Sequence, residues 1–319
     1  MSLTSGIKHR IRTVFYNQKH HLFRMILPRR NFRVEDSIII SSETRGGSTW
    51  LMDLIYATPG LIINWEPLHV TKGVVPEKHK WGERPFIPED SQDQQAVQLM
   101  SDILRFKRIS KNSVRYCTVN DVLKNQQVLT KMVRSNLLLP WMVKHFQFKH
   151  KPIYLLRHPV ATALSQIRNI PETQTDMAPF EVPDTIHNQR YVENKPYLDG
   201  LKTPLERQVA LWCLHNMEVI NHPEHGKKWV VVFYEKLVMD PEAEIRRISS
   251  EIGLEIPVDE KMIKKPSRSD FFNEYQQDTM KQLEKWKSKV TSNELNSIQR
   301  IFDHYGLTLY RADEILPVK

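Results

Sequence analysis

A chain of 319 residues with 40% hydrophobic content can bury a substantial core, which excludes disorder of the whole and predicts one large α/β domain with at most a small appendage. The formal net charge of +9 is unevenly placed: residues 1–36 carry Lys8, Arg10, Arg12, Lys19, Arg24, Arg29, Arg30 and Arg33 against Glu35 and Asp36, so +6 of it lies there. Cys117 and Cys213 stand far apart without metal-ligand spacing, and no apolar stretch approaches the ~20 residues needed to span a bilayer. A disulfide framework, a zinc site and a membrane span are thereby excluded, and a reducing, cytoplasmic setting is expected, peripheral to a membrane if the basic segment binds one.

In chain order, Ile7, Ile11, Val14, Phe15, Leu22 and Ile26 fall near helical spacing with basic residues between them, which predicts a basic amphipathic helix. Such a helix suits an anionic membrane surface and the flank of its own domain equally. Residues 1–36 therefore read as a basic arm and residues 37–319 as one domain. From Ser37 onward, short β-branched runs alternate with helical patterns, as in a parallel sheet with crossover helices. Strands are expected at Ser37–Ser41, Leu61–Asn64, Val128–Val133, Ile153–Leu156 and Trp229–Phe233, and helices beginning near Ser48, Gln92, Ser135, Pro159, Thr203 and Asp240. The predicted class is α/β, with about five parallel strands flanked by helices. Residues 71–90 and 170–202 break the alternation, the second with Pro171, Pro179, Pro183 and Pro196. Loops this long usually serve as lids or binding loops, and both are read as walls of an acceptor site.

The first strand runs into Glu43-Thr44-Arg45-Gly46-Gly47-Ser48-Thr49-Trp50. Two glycines allow a sharp turn and close approach to a ligand, and Ser48 and Thr49 can cap the following helix and offer hydroxyls. The amides and positive dipole end of that helix attract a phosphate, and Arg45 adds a fixed charge. GxxxxG and the Lys-Ser/Thr pair of a Walker A motif are missing, so an anion site without metal is expected.

The fourth predicted strand ends in Arg157-His158-Pro159. Proline suits the first helical position, which puts Arg157 at the strand end and Ser165 about two turns into the helix, where both can reach one phosphate. Carboxyl ends of neighbouring parallel strands are where α/β folds bind ligands. With these two sites, the sequence resembles the sulfotransferases that use 3′-phosphoadenosine 5′-phosphosulfate (PAPS). The resemblance implies a P-loop-like sheet in which Arg45 to Trp50 hold the 5′-phosphosulfate, and Arg157 and Ser165 hold the 3′-phosphate. A third match is the stretch from Trp229 through Tyr234-Glu235 to Asp240-Pro241, which places Tyr234 near the adenine; Trp50 either stacks there or belongs to the core. Pro266-Ser267-Arg268 would supply the remaining 3′-phosphate contact through Arg268. His158 departs from the Asp or Asn common at its position, and the Gly-x-x-Gly-x-Trp-Lys segment of cytosolic aryl sulfotransferases is not found.

Asn64-Trp65-Glu66-Pro67-Leu68-His69 is similar to the Glu-Pro-Leu stretch of carbohydrate 6-O-sulfotransferases, which implies a hydroxyl-bearing acceptor such as a glycan, with a lipid hydroxyl also open. The expected chemistry is in-line displacement, with Arg45 and the amides of Gly47 and Ser48 stabilising charge on the leaving side. Glu66 is the expected base for the acceptor hydroxyl and His69 the second choice. Two other readings stay open: a small-molecule kinase, and a non-catalytic basic adaptor on a degenerate sulfotransferase body. No nucleic-acid partner is expected, since aromatic and basic residues do not interleave on one face.

Overall fold

The computed structural model describes residues 18–170, 177–268 and 278–318. Residues 18–26, as far as described, form α1. There follow β1 (Ile38–Ser42), α2 (Ser48–Ile55), β2 (Leu61–Trp65), α3 (Gln94–Leu104), α4 (Val119–Lys124), β3 (Gln127–Val133), α5 (Leu139–His145), β4 (Ile153–Leu156) and α6 (Pro159–Asn169). The second half comprises α7 (Gln189–Gly200), α8 (Pro204–Ile220), β5 (Val230–Phe233), α9 (Tyr234–Met239), α10 (Pro241–Ile252), α11 (Glu260–Ile263), α12 (Thr279–Glu284) and α13 (Ser292–Tyr305). The five strands are parallel in the order β2-β3-β1-β4-β5.

Helices on both faces explain why these strands are apolar throughout rather than alternating. The pleat sorts each strand by parity: Ile38 and Ile40 of β1, Ile153 and Leu155 of β4, and Val230 and Val232 of β5 join the core beneath α2, α9 and α10. Ile39, Tyr154 and Leu156 pack on the opposite face against α5, α6, α8 and α13. A third, smaller core joins Phe23 of α1 and Leu27 of the 3-10 turn that follows it to Ile62, Val128 and Val122.

All five strands fall within a residue of expectation, but two other expectations change. Residues 170–202 are not structureless: α7 fills much of the stretch and contains Pro196. Proline removes one amide donor from a helix interior, and here the buried Tyr191 and Leu198 hold the helix against the core regardless. The helix expected near Ser135 starts as a single 3-10 turn, Asn136–Leu138, before α5. In the amphipathic segment the inner face of α1 docks on its own domain, while Ile7, Ile11, Val14 and Phe15 lie outside the described residues.

Candidate active site

β1 delivers the chain into a turn whose backbone is held in left-handed conformation at Arg45 (φ 66°) and Gly47 (φ 96°). A methyl group on Gly47 would lie 2.4 Å from the Tyr234 ring, so only glycine fits this close approach. Gly47, at the N-cap of α2, offers no side-chain cap, which leaves the first-turn amides for a ligand. Arg157, at the end of β4, donates to the Arg45 carbonyl (2.9 Å) and lies over the Tyr234 ring (4.6 Å). Arg45 Nε donates to Ser165 Oγ (3.0 Å), and Trp50 meets Tyr234 edge-on at 6.2 Å. Thus β1, β4, α2, α6 and α9 bring their predicted residues to one place.

That place is a cavity of about 350 Å³. Its lining includes Arg45, Arg157, Arg168, Lys264, Lys265, Lys285 and Lys289, and no carboxylate among the described residues. Seven cations in the lining, of which Lys264 pairs with Glu260 outside it (3.0 Å), make a positive field in a low-dielectric recess, the electrostatics of a polyanion site. Trp50 and Tyr234 add aromatic surface for a planar base. These residues fit a nucleotide carrying anionic groups at both ends.

α6 is a shared wall. Ser165, Arg168 and Asn169 line the first cavity, whereas Gln166 and Ile170 line a second, of about 500 Å³. The second is bounded by the 71–90 loop, by residues 180–185, and by α7 and α8. Two of its arginines are paired with glutamates: Arg84 with Glu43 (2.8 Å) and Arg134 with Glu83 (2.8 Å). Arg84 Nε also bonds His215 Nδ1, whose Nε2 lies 3.0 Å from the Tyr191 hydroxyl. A guanidinium can only donate, so Nδ1 must be bare and Nε2 must carry the proton of a neutral imidazole. Burial, reinforced by Arg84, Arg190 and Arg134, pushes the His215 pKa well below its ordinary value, in keeping with the neutral ring. Nε2 then donates to the Tyr191 oxygen, and the Tyr191 O–H is left to donate onward, into the cavity it lines.

The sequence matches the sulfotransferase domain family over residues 35–305. The chain belongs to that family. It is a sulfotransferase, a PAPS-dependent enzyme that draws the sulfuryl group from that donor. Among curated proteins none matches it in sequence. Similar solved structures include a sulfotransferase domain from the curacin biosynthetic pathway, 18% identical, covering 84% of this chain and 96% of its own, with a TM-score of 0.44. A mouse sulfotransferase complexed with PAP is 15% identical, with 89% and 88% covered and a TM-score of 0.43. A sulfotransferase domain from the olefin synthase of Synechococcus PCC 7002 is 15% identical, with 88% and 98% covered and a TM-score of 0.43.

Other expected residues of the sulfotransferase fall as follows. Ser48 and Thr49 open α2 and are buried, and Gly46 donates to the Glu43 carbonyl in the turn (3.0 Å). Arg268 pairs with Asp53 (3.0 Å) and lies over Tyr116, while its neighbours Lys264, Lys265 and Ser267 line the first cavity. Asp53 lies about a turn and a half into α2. Glu66 follows β2 directly with φ 43°, a conformation uncommon for a side-chain-bearing residue and often retained at functional sites. Its Oε1 accepts from Lys131 of β3. His69 Nδ1 accepts from the Lys72 amide (3.3 Å), and burial lowers its pKa against the opposing pull of Glu66. His158 is buried, stacked on Trp286 at 4.6 Å, and burial pushes its pKa down to about 4.

Lys131 is the most informative residue that sequence reasoning missed. It is fully buried, with Nζ 3.8 Å from the Trp65 ring centre, and burial lowers its pKa although Glu66 pulls the other way. A lysine inside an otherwise apolar strand is the signal that could have found it, because lysine is almost never buried without a partner. Among the described residues, no group of three His, Cys, Asp or Glu is placed to hold a metal ion.

Proposed function

We propose that residues 37–319 act as one catalytic domain that transfers the sulfuryl group to a carbohydrate hydroxyl, with the donor in the first cavity and the acceptor in the second. The observation that carries the reading is the contrast across α6: seven cations and, among the described residues, no carboxylate in the lining on one side, and two arginine–glutamate pairs with hydroxyl-matching groups on the other. PAPS supplies the activated sulfuryl group and a phosphate leaving group. Arg45 and the amides of Gly47 and Ser48 bind the 5′ end and neutralise charge that builds on the leaving oxygen. Arg157 and Ser165 bind the 3′-phosphate, and Trp50 and Tyr234 contact the base.

On the acceptor side, sugar hydroxyls both give and take hydrogen bonds. Arg134, Gln208 and the Tyr191 hydroxyl offer donors, Glu83 and Asp184 offer acceptors, and Phe180 offers a ring face. Glu66 takes the acceptor proton. Lys131 fixes its Oε1 and so orients Oε2, and the positive φ holds the carboxylate at the strand end. His69 is the second choice.

Thermal unfolding with adenosine 3′,5′-bisphosphate (PAP), against AMP, ADP and ATP with magnesium, tests the donor half. At ~100 times its dissociation constant a ligand stabilises by about 2.7 kcal/mol, a shift of several degrees. A shift with PAP alone is expected; a shift only with ATP and magnesium would overturn the donor assignment in favour of a kinase. Labelled sulfate from PAPS, offered to a panel of oligosaccharides and hydroxylated lipids, tests the acceptor half. Label confined to lipids would overturn the carbohydrate reading while leaving sulfuryl transfer intact.

A further inference from the structure

Beside β2, an edge strand, residues 18–30 and α4 are clamped together. The clamp is specific: Arg30 donates to the carbonyls of Leu123 (2.7 Å) and Asn125 (2.6 Å), which end α4. Phe23 of α1, Leu27 of the 3-10 turn that follows it and Val122 of α4 share one small core. Facing outward on the same two helices are Leu22 and Met25, one turn apart, and Val119 and Leu123, one turn apart, exposed by 36–54%. These are four of the eleven large apolar side chains exposed among the described residues, so the pair of short helices holds a concentration that the rest of the surface lacks.

The charge around them has one sign. Residues 18–30 and 111–126 contain Lys19, Arg24, Arg29, Arg30, Lys111, Arg115 and Lys124, and a single carboxylate, Asp121. Asp121 is buried and used within α4, where it accepts from the Thr118 amide and from Asn125. Arg24, Arg29, Lys111, Arg115 and Lys124 are exposed. We propose that this face docks on a membrane surface carrying anionic headgroups, with Leu22, Met25, Val119 and Leu123 reaching the acyl boundary and the cations meeting the headgroups. The aliphatic groups choose between partners. A soluble polyanion would engage the cations and gain nothing from exposed leucine, methionine and valine, whereas a bilayer interface uses both.

The test is co-sedimentation of the full chain with phosphatidylcholine vesicles, with and without about 30% phosphatidylserine. Binding that rises at least about tenfold with phosphatidylserine and falls as salt is raised is expected. The double variant Leu22→Glu/Leu123→Glu should lose about tenfold or more of it while keeping the unfolding temperature and the PAP shift of the parent. Should that variant fold poorly, Arg24→Ala/Lys124→Ala takes its place, with the same loss expected from exposed positions. Equal binding to both vesicles would overturn the proposal. So would vesicle binding that either folded variant leaves unchanged, or capture by heparin that tracks the cations while vesicles bind no better than background. Because PAP binding is read separately, failure here leaves the catalytic assignment untouched.

Discussion

The two cavities that share α6 are built on opposite electrostatic plans. In the first, seven cations gather with no carboxylate in the lining among the described residues, so the site carries a positive potential suited to a polyanion. In the second, Arg84 and Arg134 are each matched by a glutamate, and Arg84 is further tied through His215 to Tyr191. Paired charges attract no ion, but they fix donors and acceptors in space. Affinity for the charged substrate should therefore respond to single charges, and selection of the acceptor to single hydrogen bonds.

The largest effect that would sharpen this contrast is expected from Arg157→Ala. It removes one phosphate contact and the group lying over Tyr234, and should abolish the PAP-induced shift and lower turnover ~10²–10³-fold. A retained shift would mean that the cationic cavity does not hold the nucleotide through the end of β4. Next comes Glu66→Gln, expected to cost ~10²-fold or more in turnover with the PAP shift preserved; unchanged turnover would pass the base role to His69. Tyr191→Phe removes one oriented donor worth about 1 kcal/mol, so KM for a labelled sugar should rise roughly fivefold at constant kcat. A fall in kcat with KM constant would break the view of the second cavity as a recognition site.

The remaining prediction concerns stability rather than the site, through pH. His158, behind the first cavity, has a folded pKa of about 4, below its unfolded value of 6.5. Between those values the unfolded chain binds the proton more readily, so the neutral ring's contribution is complete above pH 6.5 and is lost as pH falls toward 4. The loss approaches ~1.4 kcal/mol per pH unit. Melting temperatures from pH 7 to 4.5 should fall more steeply in the parent than in His158→Phe; parallel curves would remove His158 as the source.

What the sequence disclosed was local. The strands were legible because β-branched runs buried on both faces leave a continuous apolar record, and the phosphate turn because Gly47 must accept a φ that other residues avoid. α7 was hidden by its prolines. The link from Glu43 to Arg84 to His215 was invisible for a different reason: it joins positions 41 and 131 residues apart, and no periodicity connects them. The pairing of Arg268 with Asp53 was likewise invisible, since only the fold brings positions 215 residues apart together.

The partition made by α6 also bears on how such an enzyme changes its trade. Ser165 and Gln166 are neighbours in sequence yet belong to different rooms, so this helix is a fixed party wall whose rotation or loosening would disturb both tenants at once. The remaining walls of the second room come mainly from the 71–90 loop, residues 180–185, α7 and α8, none of which lines the first. On the proposed assignment of donor and acceptor, those segments could be rewritten for new acceptors while the donor's lodging stays as it was.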